Sequence, residues 1–314
     1  MRILLASLRT AIDAGTVVVL AGMGELLSER VGVLNLGQEG LIGIGAVAAV
    51  IVAETVGSPW VALLAGMAAA GLLGLIFATS VVVVRTNQIL TGLAVVLIGV
   101  GLSNQLGNDY QGSPVVNRFT SLFGISGDGI IQRIGATLLN HDIIVYLSYV
   151  VLPILVTILL FRTRHGMNLR AVGENPAAAD AAGINVMGMR LLYTTLGSAL
   201  SGAGGAFLVL SFTHAWSPDV ARGRGWVALA VVIFAAWRPS LLVFGALLFG
   251  AMISLEFIAQ QQHWGIPSSI LSMLPYVVTL ALIVVPAALS RFGVKVRSSV
   301  GPAALAQPYF REER

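Results

Sequence analysis

The sequence predicts an all-α integral membrane protein: one domain over residues 1–314, built as a polytopic bundle of about eight to ten transmembrane helices. Three observations predict it. The chain is 57% hydrophobic and only 10% charged, against about 25% charged in a soluble domain. Its mean hydropathy is +0.90. The apolar residues fall in continuous runs near the length of about 20 that a spanning helix needs, without the alternation of a membrane β-strand. The 36 glycines suit close helix packing in lipid. Cysteine is absent, so thiolate and disulfide chemistry are excluded.

The elements follow in order. The first run, 10–27, comes after Arg2 and Arg9; the apolar stretch between those arginines is too short for a signal peptide, so the segment is read as retained. "RVGVLNLGQEG" at 30–40 then either enters the membrane as broken helix or sits in water. Spans follow near 38–54, 59–84 and 88–106. The polar segment 107–142 sets Asp109, Asp128 and Asp142 against Arg118 and Arg133. It fits the outer face, with a short amphipathic helix near 129–140. A span at 143–161 leads to the loop 162–190, and further spans lie at 191–211, 240–259 and 269–289. The run 226–237 is short enough to be re-entrant. "SALSGAGGAF" at 198–207 has small residues four apart, which lets helices approach closely.

Basic residues set the orientation. Arg162, Arg164, Arg170 and Arg190 mark the loop 162–190 as cytoplasmic. Arg291, Lys295, Arg297, Arg311 and Arg314 do the same for a tail over 290–314, so the C-terminus is expected in the cytoplasm of a cell (inner) membrane. Nine spans place the N-terminus outside, a placement that Arg2 and Arg9 oppose. The net charge of +4 reflects these loops, not nucleic-acid binding.

"LRAVGENPAAADAAGI" at 169–184 interrupts this pattern. Asn175 is a good N-cap, Pro176 suits the first helical position, and Gly183 can end the helix left-handed. The resulting helix over 176–182 is too short to stand alone, so it packs on its own protein or on a partner.

The chain has no recognised catalytic set. The sole lysine, Lys295, is followed by Val296, so no G-x-x-x-x-G-K-[ST] loop exists. Neither H-E-x-x-H nor G-x-S-x-G occurs. His141, His165, His214 and His263 lie far apart and read as loop or interface residues. No enzyme activity, metal or cofactor is expected on this chain. Intramembrane polar residues face a cavity or a partner, because charges near the bilayer centre are costly. Asn35, Gln38 and Glu39 are candidates to line a pathway, with Thr91 and Glu256 beside them; Glu256 has Gln260 one turn later. The competing reading pairs Glu25, Glu29 and Arg30 near the headgroups. The Gly-rich stretches 32–45 and 222–230, each ahead of an apolar run, point to two interrupted helices near the midplane.

"TRHGMNLRAVGENPAAADAAGI" at 163–184 resembles the cytoplasmic coupling loop of ABC-importer permeases of the branched-chain amino acid, sugar and nucleoside superfamily. "GELLSERVGVLNLGQEGLIGIGA" at 24–46, "QILTGLAVVLIGVGLS" at 88–103 and "GRGWVALAVVIFAAWRP" at 223–239 look like three further blocks of its nucleoside and simple-sugar branch. The likeness runs in order from about residue 10 to 290. One departure is "FAAWRP", where this branch often has Gly before Trp. The resemblance implies that the short helix is a coupling helix that docks in a groove of a separate ATPase subunit. Arg170, Gly173, Glu174, Asn175, Pro176 and Asp180 would serve it, with Gly173 permitting the turn. It implies ATP and magnesium on that partner only, a second permease chain (the same or different), an extracytoplasmic substrate-binding protein or lipoprotein, surrounding membrane lipid and no nucleic acid. Inward transport of nucleosides, purines or simple sugars would proceed by alternating access. The alternative is an ion-coupled secondary transporter of a small polar solute, using Glu39 and Glu256.

Overall fold

The computed structural model describes residues 2–125, 127, 129–291 and 301–310. Asp128, Lys295, Arg297, Arg311 and Arg314 lie outside the described residues, as does the Arg291 side chain. The chain is helical: α1 (Arg2–Arg30), α2 (Gln38–Val56), α3 (Pro59–Val82), α4 (Gln88–Gly107), α5 (Ile130–Leu139), α6 (Ile143–Tyr146) and α7 (Leu152–Arg162). After these come α8 (Arg164–Glu174), α9 (Pro176–Ala181), α10 (Val186–Phe207), α11 (Arg224–Phe234), α12 (Pro239–Gln261), α13 (Ser268–Ser272) and α14 (Leu274–Arg291). A π turn joins α6 to α7, so Ile143–Arg162 is one rod, and another extends α10 to Phe212.

Among the described residues, 7 helices are long and apolar enough to cross a membrane. Arg224–Phe234 is apolar but shorter. Of the expected eight to ten, seven are full-length rods among the described residues, α11 is short, and α14 runs 18 residues where the last span was expected. α11 is the short element the sequence foresaw, and α5 falls where the amphipathic helix was expected.

α10 is the hub, packed on α1, α2 and α3. Glycine makes that approach possible. A Cβ on Gly197 would stand 2.3 Å from the Gly24 carbonyl oxygen, and one on Gly202 would stand 2.4 Å from that of Gly66. The small-residue spacing of 198–207 thus serves internal packing. Outer faces of α3, α4 and α12 stay apolar and open, with Leu97 75% and Phe244 67% exposed, as lipid contact requires.

The two ends of the bundle are distinct. Arg9 donates to the Asn140 carbonyl at 2.9 Å, so the start of α1 lies with the segment 107–142. At the other end, the Arg30 carbonyl abuts Gly173, and the Ala304 N–H donates to the Gly173 carbonyl at 2.9 Å. The beginning of α1 and the segment 301–310 therefore sit at opposite ends, as an odd number of crossings demands.

The departure in "FAAWRP" has a structural counterpart. Ala236 has φ 55° and Trp237 φ 54° in the turn between α11 and α12. The left-handed region costs a non-glycine residue roughly 1–2 kcal/mol. Ala236→Gly is expected to stabilise the chain by up to about 1 kcal/mol, net of the greater freedom of glycine in the unfolded chain, read as a higher unfolding temperature in detergent. An unchanged or lower value would show that this turn is not strained at Ala236.

Candidate functional site

Three groups of polar residues stand out. The first is the corner between α8 and α9. Asn175 caps α9, its Oδ1 accepting from the Ala178 N–H at 3.0 Å, and Pro176 is the first helical residue. Gly183 follows at φ 83°. The helix predicted at 176–182 is thus present with its expected ends. The sharp turn lies at Asn175 (φ −149°, ψ 90°), not at Gly173, which is the penultimate residue of α8. Gly173 is small for another reason: a Cβ there would stand 2.2 Å from the Arg30 carbonyl oxygen. Arg170 lies over the Phe161 ring at 5.2 Å. Asp180 accepts from the Tyr309 hydroxyl at 2.9 Å. Glu174 and Asn175 are exposed, as are Ala177 and Ala178. α8 itself was not foreseen. Its sequence is polar, and only Gly166, Leu169, Val172 and Gly173 are buried.

The second group is a polar core. Glu25 is fully buried; it accepts from the Asn35 N–H at 2.9 Å and from Gln38 Nε2 at 2.5 Å. The Ser201 hydroxyl donates to Gln38 Oε1, and Asn35 Nδ2 donates to Ser198 Oγ at 3.3 Å. In this conformation Asn35 and Gln38 are buried, and their bonds tie α1, α2 and α10 together. Glu29 accepts from the Trp237 indole N–H at 2.5 Å, and Arg30 donates to the Trp237 carbonyl at 2.7 Å. Leaving Glu25 without Gln38 exposes a buried carboxylate to an unmet bond, which costs about 2 kcal/mol or more. Gln38→Leu is therefore expected to lower the unfolding temperature in detergent; a parent-like value would remove the structural role.

The third group is the junction of the two Gly-rich stretches. Glu39, at the start of α2, accepts from the Gly223 N–H at 2.6 Å and the Gly225 N–H at 2.8 Å. Its carboxylate thus caps α11, a favourable place for negative charge. α11 begins at the buried Arg224 and runs only 11 residues to Phe234, and the turn after it carries Trp237, beside Glu29. Arg222 borders three cavities. One of about 310 Å³ contains Glu39, Ser103 and Asp219. A second of about 270 Å³ contains Glu256, Arg224 and Tyr276. The third, of about 1010 Å³, opens at the α5 end and contains Asp13, His141, Asp142, His214 and Arg224. Burial raises the Asp142 carboxyl above its ordinary range, against the N–H groups of Ile144 and Val145 that it accepts. Burial, then the Arg118 charge, lowers His214.

Glu39 and Glu256 are thus brought to cavities on either side of Arg222. Glu256 accepts from Gln260 at 3.3 Å, as the spacing suggested. Thr91 stands apart: its hydroxyl donates to the Asn87 carbonyl at 2.8 Å in the first turn of α4. Sequence reasoning missed Arg224, Trp237 and the Asp13–His141 pair at 2.7 Å. Among the described residues no cluster of three His, Asp or Glu could hold a metal.

A bundle with 7 helices long and apolar enough to cross a membrane, among the described residues, is that of a multi-pass membrane protein. Residues 8–294 match the family described as branched-chain amino acid transport system, permease component, and the chain belongs to that family. It is a transport subunit, not an enzyme. It is 33% identical to the Haloferax volcanii ABC transporter permease protein TsgC13, whose name ties it to glucose, over 97% of each chain. Nucleoside ABC transporter permease protein NupC of Lactococcus lactis subsp. cremoris is 32% identical over 85% of this chain and 88% of its own. Guanosine ABC transporter permease protein NupQ of Bacillus subtilis is 32% identical over 83% of this chain and 86% of its own.

Proposed function

We propose that this chain carries nucleosides or simple sugars inward as one permease of an ATP-driven importer, with α9 as its docking point for the ATPase. The single observation that carries the reading is the α8–α9 corner: a helix of 6 residues, capped at both ends and exposed at Glu174, Asn175, Ala177 and Ala178, at one end of a bundle that belongs to a permease family. So short a helix gains little by itself; its exposed face suits a groove on another chain. That end is cytoplasmic on this reading, by its Arg162, Arg164 and Arg170. The large cavity at the other end is where an external binding protein would deliver the solute. A second permease completes the pathway. Glu39 and Glu256 border cavities, but Glu39 holds α2 to α11 and Glu256 bonds to Gln260 within α12, and the family gives no support to the ion-coupled alternative.

The relatives' names divide between nucleosides and glucose, so the solute needs measurement. Labelled uridine, guanosine and glucose are to be offered to cells with and without the chain. Loss of nucleoside uptake alone assigns the nucleoside branch, and loss of glucose uptake alone the sugar branch. Retention of all three would overturn both assignments.

A further inference from the structure

We propose that residues 301–310 form a strap that carries movement of the α8–α9 corner to the membrane helices. This rests on the reading of α9 as the ATPase docking point. The strap is held at both sides of the corner. The Ala304 N–H donates to the Gly173 carbonyl at 2.9 Å, the Ala303 N–H to Glu174 Oε2 at 3.3 Å, and the Tyr309 hydroxyl to Asp180 Oδ2 at 2.9 Å. Besides bonds within the segment, others go to the bundle. The Ala306 N–H donates to the Gly32 carbonyl at 3.2 Å, in the turn between α1 and α2. Arg190, near the start of α10, donates to the Gln307 carbonyl at 3.1 Å and to the Val31 carbonyl at 3.1 Å. Gly301 lies against the Trp237 ring, where an added Cβ would come within 2.7 Å. Phe310 sits under Arg85, 4.9 Å from its ring centre, at the loop between α3 and α4.

The same ten residues therefore touch the α1–α2 turn, the α3–α4 loop, the α8–α9 corner and the α11–α12 turn. α9 itself packs chiefly on α8 and touches α10 more lightly. Besides the strap, the corner reaches the α1–α2 turn through α8, where Gly173 abuts the Arg30 carbonyl. That turn is the lever of interest, because it leads directly into Gln38 and Glu39, the start of α2 and the cap of α11. Ala306 is held at φ 61°, a conformation that persists in a non-glycine residue only where its surroundings fix it. A fixed turn passes on displacement better than a loose one. Tyr309 acts here as a positioning residue, through Asp180.

The test uses the whole transporter, with its ATPase and second permease, in proteoliposomes. ATP hydrolysis is measured together with import of labelled uridine or glucose, whichever the unaltered complex takes up. Tyr309→Phe removes the bond to Asp180, and a chain ending at Val300 removes the strap. We expect hydrolysis to stay within twofold and import to fall at least threefold for Tyr309→Phe and further for the truncation, so that more ATP is spent per solute. Parent-like import in both would overturn the proposal, and so would parallel falls in hydrolysis and import, which would place the strap in docking alone. If the truncated chain does not fold, Tyr309→Phe decides. An ATPase that fails to copurify with the unaltered chain would instead refute the docking reading.

Discussion

Glu174→Arg is expected to cut ATP-driven uptake at least tenfold while the chain still inserts and folds. Glu174 is exposed at the end of α8, so the substitution fills no core space. The local charge balance is what changes. Glu174 offsets Arg30, and Arg170 and Arg238 are close enough to Arg30 to repel it. Arginine at 174 would add a guanidinium to three others and remove the nearby acid. It would also set positive charge beside the start of α9, where the helix dipole is positive, and take away the acceptor of the Ala303 N–H. Each like-charge contact near a surface costs on the order of 1 kcal/mol, and a tenfold effect needs about 1.4 kcal/mol. Two such contacts suffice. Glu174→Gln, which keeps an acceptor and adds no charge, is expected to lose much less. Uptake by the arginine variant equal to that of the parent, at equal membrane content, would remove Glu174 from coupling.

Much of this corner was legible because its signals are local. Asn175, Pro176 and Gly183 each act on their own backbone, and a cap is read from a few neighbouring residues. The spans were legible because side chains that cross a hydrocarbon core of about 30 Å must be apolar for about 20 residues. The polar core was only half legible. Asn35, Gln38 and Glu39 announce themselves as polar residues in an apolar setting, but their partners lie far off in the chain. Ser198 and Ser201 come from α10, and Gly223 and Gly225 from the start of α11. The sequence flagged both Gly-rich stretches and nothing in it says that they touch. Trp237 is a similar case: an indole N–H finds Glu29 only once α11 and α12 have been folded against α1. The segment 301–310 was read by its flanking charges as a tail. Its bonds use backbone N–H groups, which every residue carries and which leave no mark in composition.

The junction of the two Gly-rich stretches carries the other large effect. Glu39→Leu is expected to abolish uptake and to lower the unfolding temperature. The carboxylate takes two backbone N–H groups at the start of α11, Gly223 at 2.6 Å and Gly225 at 2.8 Å. α2 and α11 are in close contact here, since a Cβ on Gly225 would come within 2.3 Å of the Glu39 nitrogen. Leucine would strand both donors, at about 1–3 kcal/mol each, and would deprive the buried Arg224 of a neighbouring acid. Glu39→Gln separates holding from moving. The amide retains one acceptor oxygen and most of the shape, so the fold should survive with a modest loss of stability. If α2 and α11 must part and rejoin in each cycle, the weaker cap should still slow uptake severalfold at nearly parent stability. If the junction is a static rivet, uptake will track unfolding temperature across both variants. Parent-like stability and uptake in Glu39→Leu would show that α11 starts without this cap, and the two interrupted helices would then be independent elements.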